Sequence, residues 1–174
     1  MKFFPTKING SWLIELDKKI DSRGYFAREY CYREFNNQDL ESTFVQSNIC
    51  SNNHKGIIRG LHCQKHPYSE VKVVRCLNGA IFDVLVDMRP ESPTFMEHYA
   101  TELTSDNSLA LYIPKGCFHG YQTLTNNAVI LYHVSQYYMP ESETGLRYND
   151  PKLNIIWPLN PSSISPKDLA WKLL

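Results

Sequence analysis

Prolines and glycines recur at short intervals along this chain, and that spacing restricts it to short elements of secondary structure. Ten prolines and eight glycines are spread over 174 residues. The segments between them are rich in Val, Ile, Tyr and Phe, which favour strands. Val71–Leu77 and Ile81–Met88 are the clearest strands, and the Asn78-Gly79 pair between them predicts a β-hairpin.

The remaining regular segments are equally short. Two further strands are predicted at Leu109–Ile113 and Ala128–Tyr137, while only Tyr32–Asn37 and the last few residues look helical. Many short strands separated by turns are typical of a β-sandwich or a jelly-roll barrel. The sequence therefore predicts an all-β fold, with short flanking helices, that forms one domain over residues 1–174.

Several polar side chains fall on strand faces that should be apolar. With a period of two, Lys72 shares a face with Val74, and Tyr132 shares a face with Ile130. The same alternation puts Gln46 and Asn48 on one face with Phe44. Inward-facing lysine, tyrosine and amide side chains predict a barrel with a polar pocket.

Arg59 and His62 are separated by an odd number of residues, so a regular strand would point them to opposite faces. Gly60 lies between them and could carry a bulge that turns one of them. A lone histidine in a strand is most often structural, so spacing alone leaves the role of His62 open. Adjacent strand residues face opposite ways, which argues against activation of Cys63 as a nucleophile by His62.

Composition excludes several classes of protein. Lys plus Arg and Asp plus Glu both number 18, so the net charge is zero and no broad basic face for nucleic acid is expected. No apolar run approaches the roughly 20 residues that cross a bilayer, and the N-terminal residues lack the apolar core of a signal peptide. The five cysteines are odd in number and lack zinc-ribbon spacing, which favours reduced thiols in a cytoplasm.

Two local patterns have competing interpretations. The run from Pro114 to His119 is similar to half of a cupin metal motif. The other half needs two histidines one residue apart, and the chain around His62 has no such pair, so we expect no metal. Ser165-Pro166-Lys167-Asp168 is a typical helix start, with an N-cap serine and an acid in the first turn. That signature alone would explain Asp168.

Ten blocks taken together resemble one family. They are DSRGYF (21–26), FVQSN (44–48), RGLHCQ (59–64), KVVRC (72–76), FDVLVDMR (82–89), SPTF (92–95), IPKGCFHG (113–120), YYMPE (137–141), NDP (149–151) and IWP (156–158). Their order and spacing are similar to those of dTDP-4-dehydrorhamnose 3,5-epimerases from about residue 10 onward. The resemblance implies a cupin-like jelly roll that works as a homodimer without metal or cofactor and inverts C3 and C5 of a dTDP-linked 4-keto-6-deoxyhexose.

The resemblance also implies residue roles. His62 would be the base, Asp168 its orienting carboxylate, Tyr132 the opposing acid and Lys72 the cation near the C4 oxygen. The other implied residues are the diphosphate and sugar ligands Arg59, Gln46 and Asn48, the base-stacking Tyr138, the supporting pair His119 and Asp83, and Arg23 and Phe26, which would reach in from the partner subunit. Arg28 stands where the family often has a glutamate near the nucleotide base, and a donor-only side chain there predicts weaker selection for thymine.

The chemistry fits these residue types. A C4 ketone acidifies the C–H bonds at C3 and C5, and Lys72 could stabilise the enolate. A histidine is suited to take the proton near neutral pH, and the chain has no dinucleotide-binding glycine fingerprint. Three alternatives stay open: a C3-only or C5-only epimerase on a related sugar nucleotide, an inactive sugar-nucleotide-binding cupin, and a metal-dependent cupin oxygenase.

Overall fold

The computed structural model describes all 174 residues as a barrel of two packed β-sheets. The strands are β1 (Lys2–Pro5), β2 (Trp12–Glu15), β3 (Lys19–Asp21), β4 (Gly24–Phe26), β5 (Gln46–Asn52), β6 (Ile57–Gln64), β7 (Lys72–Asn78), β8 (Ala80–Asp87), β9 (His98–Thr104), β10 (Leu109–Ile113), β11 (Cys117–Thr123), β12 (Ala128–Val134), β13 (Glu143–Gly145) and β14 (Ser163–Ile164). The helices are α1 (Tyr32–Asn36) and α2 (Pro166–Leu169), with one 3₁₀ turn at Pro140–Ser142. The predicted all-β jelly roll with short flanking helices is confirmed.

The two sheets have six and five main strands. The first has the order β1-β2-β10-β7-β12-β5 and the second has the order β13-β6-β11-β8-β9, with β14 pairing with β6 in parallel. The strands β3 and β4 form a separate two-stranded ribbon. Apart from β1–β2 and β8–β9, neighbouring strands in each sheet are not consecutive in the chain, as expected when a chain crosses repeatedly between two layers.

The predicted hairpin at Asn78-Gly79 is wrong. The two flanking strands exist, but β7 pairs with β10 and β12 in the first sheet while β8 pairs with β11 and β9 in the second. Gly79 has a φ of +76°, the left-handed conformation that either kind of turn would use. The Asn78-Gly79 pair therefore predicted the position of a turn correctly. The turn connects the two sheets, because each flanking strand pairs with other strands of its own sheet.

The inner faces of the sheets pack against each other around a continuous apolar core. Val74, Ile81, Leu85, Leu111 and Ile130 are all fully buried in it. A second cluster on the outer face of the first sheet is covered by Phe35 of α1, and a third lies behind the second sheet. Apolar clusters thus cover the outer faces of both sheets. Polar side chains between the sheets, at one end of the inner core, line an internal pocket.

Candidate active site

Two adjoining cavities lie between the sheets, with volumes of about 500 and 430 Å³. His62, Lys72 and Tyr132 border both of them. His62 comes from β6 of the second sheet, whereas Lys72 and Tyr132 come from β7 and β12 of the first. The predicted polar pocket is present, and its walls belong to opposite sheets.

His62 is paired with Asp168. The Nε2 atom of His62 lies 2.5 Å from Oδ1 of Asp168, and the second oxygen, Oδ2, accepts a hydrogen bond from the backbone N–H of Gly60 at 3.4 Å. Burial would raise the pKa of Asp168, but the hydrogen bonds from His62, Gly60 and Ser165 outweigh it and hold that pKa below its usual value. The carboxylate is therefore charged at neutral pH and fixes the ring of His62 through Nε2.

A bulge at Gly60 brings Arg59 and His62 into the same cavity. His62 is opposite His119 in the neighbouring strand and Arg59 is opposite Tyr121, so three steps on β6 match two on β11. Gly60 has a φ of +104°, and a Cβ there would lie 2.5 Å from the carbonyl oxygen of His119. Only glycine fits this position, and the predicted bulge, which lets both side chains reach one cavity, is confirmed.

Lys72 points into the pocket, as the alternation predicted. Its ammonium nitrogen lies 3.0 Å from Oε1 of Glu70 and donates to the backbone carbonyl of His62 at 3.4 Å. The next inward residue of the same strand, Val74, belongs to the apolar core. A cation is thus held at the boundary between the polar pocket and the core, where its charge is poorly screened.

Tyr132 approaches the same space from β12. Burial raises the pKa of its phenol, and nearby Cys50 adds to the rise. The phenol consequently stays protonated at neutral pH and can act as a proton donor. Ile130, on the same face, is part of the core, in agreement with the predicted alternation.

His119 and Asp83 form a second histidine–carboxylate pair on the second sheet. Nε2 of His119 lies 2.7 Å from Oδ1 of Asp83, which is completely buried. Burial raises the pKa of Asp83, and the contact with His119 opposes that rise. His119 borders the larger cavity, so the predicted supporting pair does lie beside the pocket.

Gln46, Asn48 and Tyr138 border the second cavity. The side-chain oxygen of Gln46 accepts from the backbone N–H of Tyr138 at 2.8 Å, and the hydroxyl of Tyr138 donates to Glu143 at 2.6 Å. The prediction that Phe44 shares their face is wrong. Phe44 precedes β5, where the chain is not yet a regular strand, and it packs on Phe35 on the outer side of the sheet.

Three of the predicted substrate-binding residues lie outside this pocket. Arg23 pairs with Asp21 in the β3–β4 ribbon, and Phe26 is 74% exposed beside it. Arg28 is also exposed and has Glu34 as its partner at 3.4 Å. None of these three side chains borders either cavity of its own chain.

Three charged pocket residues were missed by the sequence analysis. Glu143 places Oε1 3.8 Å from Nδ1 of His62 and forms an ion pair with Lys167. Glu70 pairs with Lys72. Glu143 lies in a three-residue strand and Lys167 in a four-residue helix, both too short for a periodic pattern, and Glu70 precedes the first residue of β7 by two positions.

Three further features concern a metal site, a cysteine nucleophile and a membrane span. No three His, Cys, Asp or Glu side chains cluster as metal ligands would. Cys63 is buried, and burial raises its pKa to about 12, which keeps the thiol protonated. No helix has both the length and the apolar character needed to span a bilayer.

Fold and pocket together define a cupin-like barrel with an internal polar pocket. The sequence profile of the dTDP-4-dehydrorhamnose 3,5-epimerase family matches residues 5–174. The Escherichia coli K12 dTDP-4-dehydrorhamnose 3,5-epimerase is 39% identical over 97% of this chain and 91% of its own. This chain therefore belongs to the dTDP-4-dehydrorhamnose 3,5-epimerase family, as its sequence blocks predicted, and it is an isomerase of the epimerase type.

Solved structures agree with this assignment. The Bacillus anthracis dTDP-4-dehydrorhamnose 3,5-epimerase with TDP and PPi bound superimposes with a TM-score of 0.97 at 36% identity, covering 99% of both chains. The Legionella pneumophila enzyme in complex with dTDP-4-keto-L-rhamnose has a TM-score of 0.93 at 37% identity, covering 99% of this chain and 92% of that one. A 3'-monoepimerase from Streptomyces bikiniensis in complex with dTDP-quinovose has a TM-score of 0.91 at 29% identity, covering 97% and 86%.

Proposed function

We propose that this protein converts dTDP-4-dehydro-6-deoxy-D-glucose to dTDP-4-dehydro-L-rhamnose by inverting C3 and C5 without a metal or a cofactor. The ligands named for the Bacillus and Legionella structures, TDP and dTDP-4-keto-L-rhamnose, support a dTDP-linked sugar as the substrate. The substrate supplies its own activation, because the C4 ketone acidifies the C–H bonds on both sides. The protein then has to remove a proton, stabilise the enolate and return a proton from the other side.

The observation that carries the proposal is the position of His62 and Tyr132. They border the same two cavities from opposite sheets. Packed sheets lie about 10 Å apart, which leaves room for a sugar ring between the two side chains. A base on one face and an acid on the other is what inversion requires.

His62 is the proposed base, and Nδ1 is the atom that takes the proton. Nε2 is bonded to the charged Asp168, so the proton of the neutral ring belongs on Nε2 and the lone pair on Nδ1. After abstraction the ring becomes an imidazolium between two carboxylates, Asp168 and Glu143. A positioned general base of this kind contributes about 10²–10⁴-fold in rate.

Lys72 is the proposed partner of the enolate. Removing a proton from C3 or C5 moves negative charge onto O4, and a poorly hydrated ammonium stabilises that charge more in the transition state than in the ground state. Tyr132, protonated because burial raises its pKa, then delivers a proton to the opposite face. The same two groups can serve C3 and C5 in turn.

The nucleotide end would be held by the second cavity and by a partner subunit. Arg59 faces the larger cavity and can bind a diphosphate through two nitrogen atoms, and Gln46, Asn48 and Tyr138 line the smaller one. We propose a homodimer in which Arg23 and Phe26 of the exposed β3–β4 ribbon complete the neighbour's site. The cysteine pattern further supports a cytoplasmic location.

The test is deuterium exchange in D₂O, followed by NMR at C3 and C5 of the dTDP-linked 4-keto sugar. The wild type should incorporate deuterium at both positions, and His62→Ala at neither. Tyr132→Phe keeps the base and loses the acid. Deuterium should therefore still enter the sugar, although little inverted product forms. Matched controls are His133→Ala, a histidine paired with Glu29 at 2.8 Å outside the pocket, and Tyr112→Phe, a tyrosine buried in the outer cluster.

Two outcomes would contradict the mechanism: normal epimerisation by a folded His62→Ala protein, or no difference between Tyr132→Phe and Tyr112→Phe. The second candidate function is inversion at a single carbon. The Streptomyces bikiniensis 3'-monoepimerase, which shares the fold, is the observation that favours it. Deuterium at C3 alone in the wild type would select that candidate, and binding without exchange would indicate an inactive cupin.

A further inference from the structure

Glu70 is a buried carboxylate with one partner. It is 8% exposed, and its Oε1 lies 3.0 Å from the ammonium nitrogen of Lys72. Its other oxygen, Oε2, is buried and has no hydrogen-bond partner in the chain. Glu70 also borders the smaller cavity together with Lys72 and Tyr132.

Glu70 lies two residues before Lys72, the first residue of β7. Both side chains border the smaller cavity, while Val71 between them packs in the outer cluster. Burying a carboxylate is unfavourable unless it is paired, and here half of it remains unpaired. An apolar residue would fill this position more favourably if packing were its only role.

Lys72 depends on this contact for its orientation. Its side chain is 15% exposed, Glu70 is its only ion-pair partner, and its other hydrogen bond, to the carbonyl of His62, is long at 3.4 Å. Without Glu70, the flexible lysine stem would be held by that single weak bond. A cation must be aimed at the developing charge to lower the barrier.

We propose that Glu70 is a positioning residue that directs the ammonium of Lys72 at O4 of the substrate. It acts through Lys72 and does not touch the sugar. This inference rests on the proposed function, since it assumes that an enolate forms at C4. It predicts that the charge of Glu70 matters to kcat even though the carboxylate acts only through Lys72.

The first test compares kcat and KM for Glu70→Gln, Glu70→Asp and Glu70→Ala. Gln keeps the shape and removes the charge, so kcat should fall about tenfold, and Ala should lower it about 10²-fold, the cost of misplacing a reacting group by about 1 Å. KM should change less than about twofold, because the lost interaction forms mainly in the transition state. Asp should retain more activity than Gln, and Glu15→Gln, which breaks the exposed pair with Lys2, should change nothing.

The second test is a double-mutant cycle with Lys72→Met, read by deuterium exchange over long incubations. If Glu70 acts through Lys72, adding Glu70→Gln to Lys72→Met should not slow exchange further. The melting temperature is the second readout of this cycle. Lys72→Met leaves the buried carboxylate of Glu70 without a partner and should lower the melting temperature. Adding Glu70→Gln removes that unpaired charge and should restore part of the loss.

The outcomes separate this inference from the proposed function. Wild-type protein that exchanges no deuterium would overturn the proposed function, and this inference with it. Normal wild-type exchange together with an unchanged or raised kcat in folded Glu70→Gln would overturn the inference alone. An equal slowing by Glu70→Gln in both backgrounds would also overturn it, since Glu70 would then act independently of Lys72.

Discussion

Replacing Asp168 by Asn should disable the base while leaving the fold intact, because the carboxylate serves two donors at once. One oxygen accepts from His62 at 2.5 Å and the other from the backbone N–H of Gly60 at 3.4 Å. Asn has a single oxygen. If that oxygen faces Gly60, the amide NH₂ faces Nε2 of His62 and drives the ring proton to Nδ1, which is the proposed base atom.

The size of the effect follows from the interactions lost. A hydrogen bond to a charged group contributes roughly 1.5–3 kcal/mol, which corresponds to about 10- to 150-fold in rate if it supports the imidazolium only in the transition state. The wrong tautomer adds to that loss, and the corresponding carboxylate-to-amide change in a serine-protease triad lowers kcat about 10⁴-fold. We therefore expect kcat to fall about 10²- to 10⁴-fold for Asp168→Asn, with a small change in KM.

The assay is the initial rate of epimerisation with saturating substrate, accompanied by a thermal melt. Because Asn can still accept one of the two hydrogen bonds, the melting temperature should fall by only a few degrees, about 1 kcal/mol in a chain of this size. A folded Asp168→Asn protein with kcat within about threefold of the wild type would refute the tautomer argument. A collapse of the melt would show that Asp168 is mainly structural.

Four further predictions concern the dimer, metal, backbone and acid stability. An Arg23→Ala protein mixed with a His62→Ala protein should regain activity after subunit exchange, because one intact site forms in each heterodimer; no recovery would exclude a shared site. Exhaustive chelation with EDTA should leave kcat unchanged, and loss reversed by a divalent ion would contradict this. Gly60→Ala should lower the free energy of unfolding by about 3 kcal/mol or more in denaturant titrations, because φ is +104° and the added Cβ meets a carbonyl oxygen at 2.5 Å. Burial opposes the shift, but contacts with His62 and Lys167 hold the folded-state pKa values of Asp168 and Glu143 below their ordinary values of 3.8 and 4.5. These carboxylates therefore stabilise the fold above those ordinary values, and this stability should be lost as the pH falls through the lower folded-state values; a midpoint of acid unfolding unmoved by Asp168→Asn would contradict the contribution of Asp168.

Alternation along strands was the sequence signal that predicted the pocket best. It put Lys72 and Tyr132 inward because β7 and β12 are regular over those residues, and both side chains border the cavities. It failed at Phe44, where the strand has not yet begun. A periodic pattern is informative only within the hydrogen-bonded ladder that enforces it.

Pairing between strands that are distant in the chain was harder to predict from the sequence. Asn78-Gly79 predicts a turn, and a turn is present, but whether the flanking strands pair with each other depends on partners elsewhere in the chain. Glu143 has no local signal, because β13 is three residues long and its pairing with β6 alone brings it to His62. The assignment of residues 1–174 to one domain stays a prediction.

The two interpretations of Asp168 turn out to describe different atoms of one residue. Its backbone N–H donates to the hydroxyl of Ser165 at 3.0 Å, which is the predicted helix cap. The cap uses the backbone of Asp168, so its side-chain carboxylate remains available to accept a hydrogen bond from His62, 106 positions earlier in the chain. The parallel pairing of Ser163 and Ile164 with β6 fixes the backbone just before the cap, on the same strand that carries His62. A helix of four residues has little stability of its own, so the cap and this short strand pairing together hold the carboxylate rigidly against the base. The helix-start signature and the proposed functional role are therefore compatible. The capped helix positions the carboxylate of Asp168, from a segment distant in the chain, beside His62.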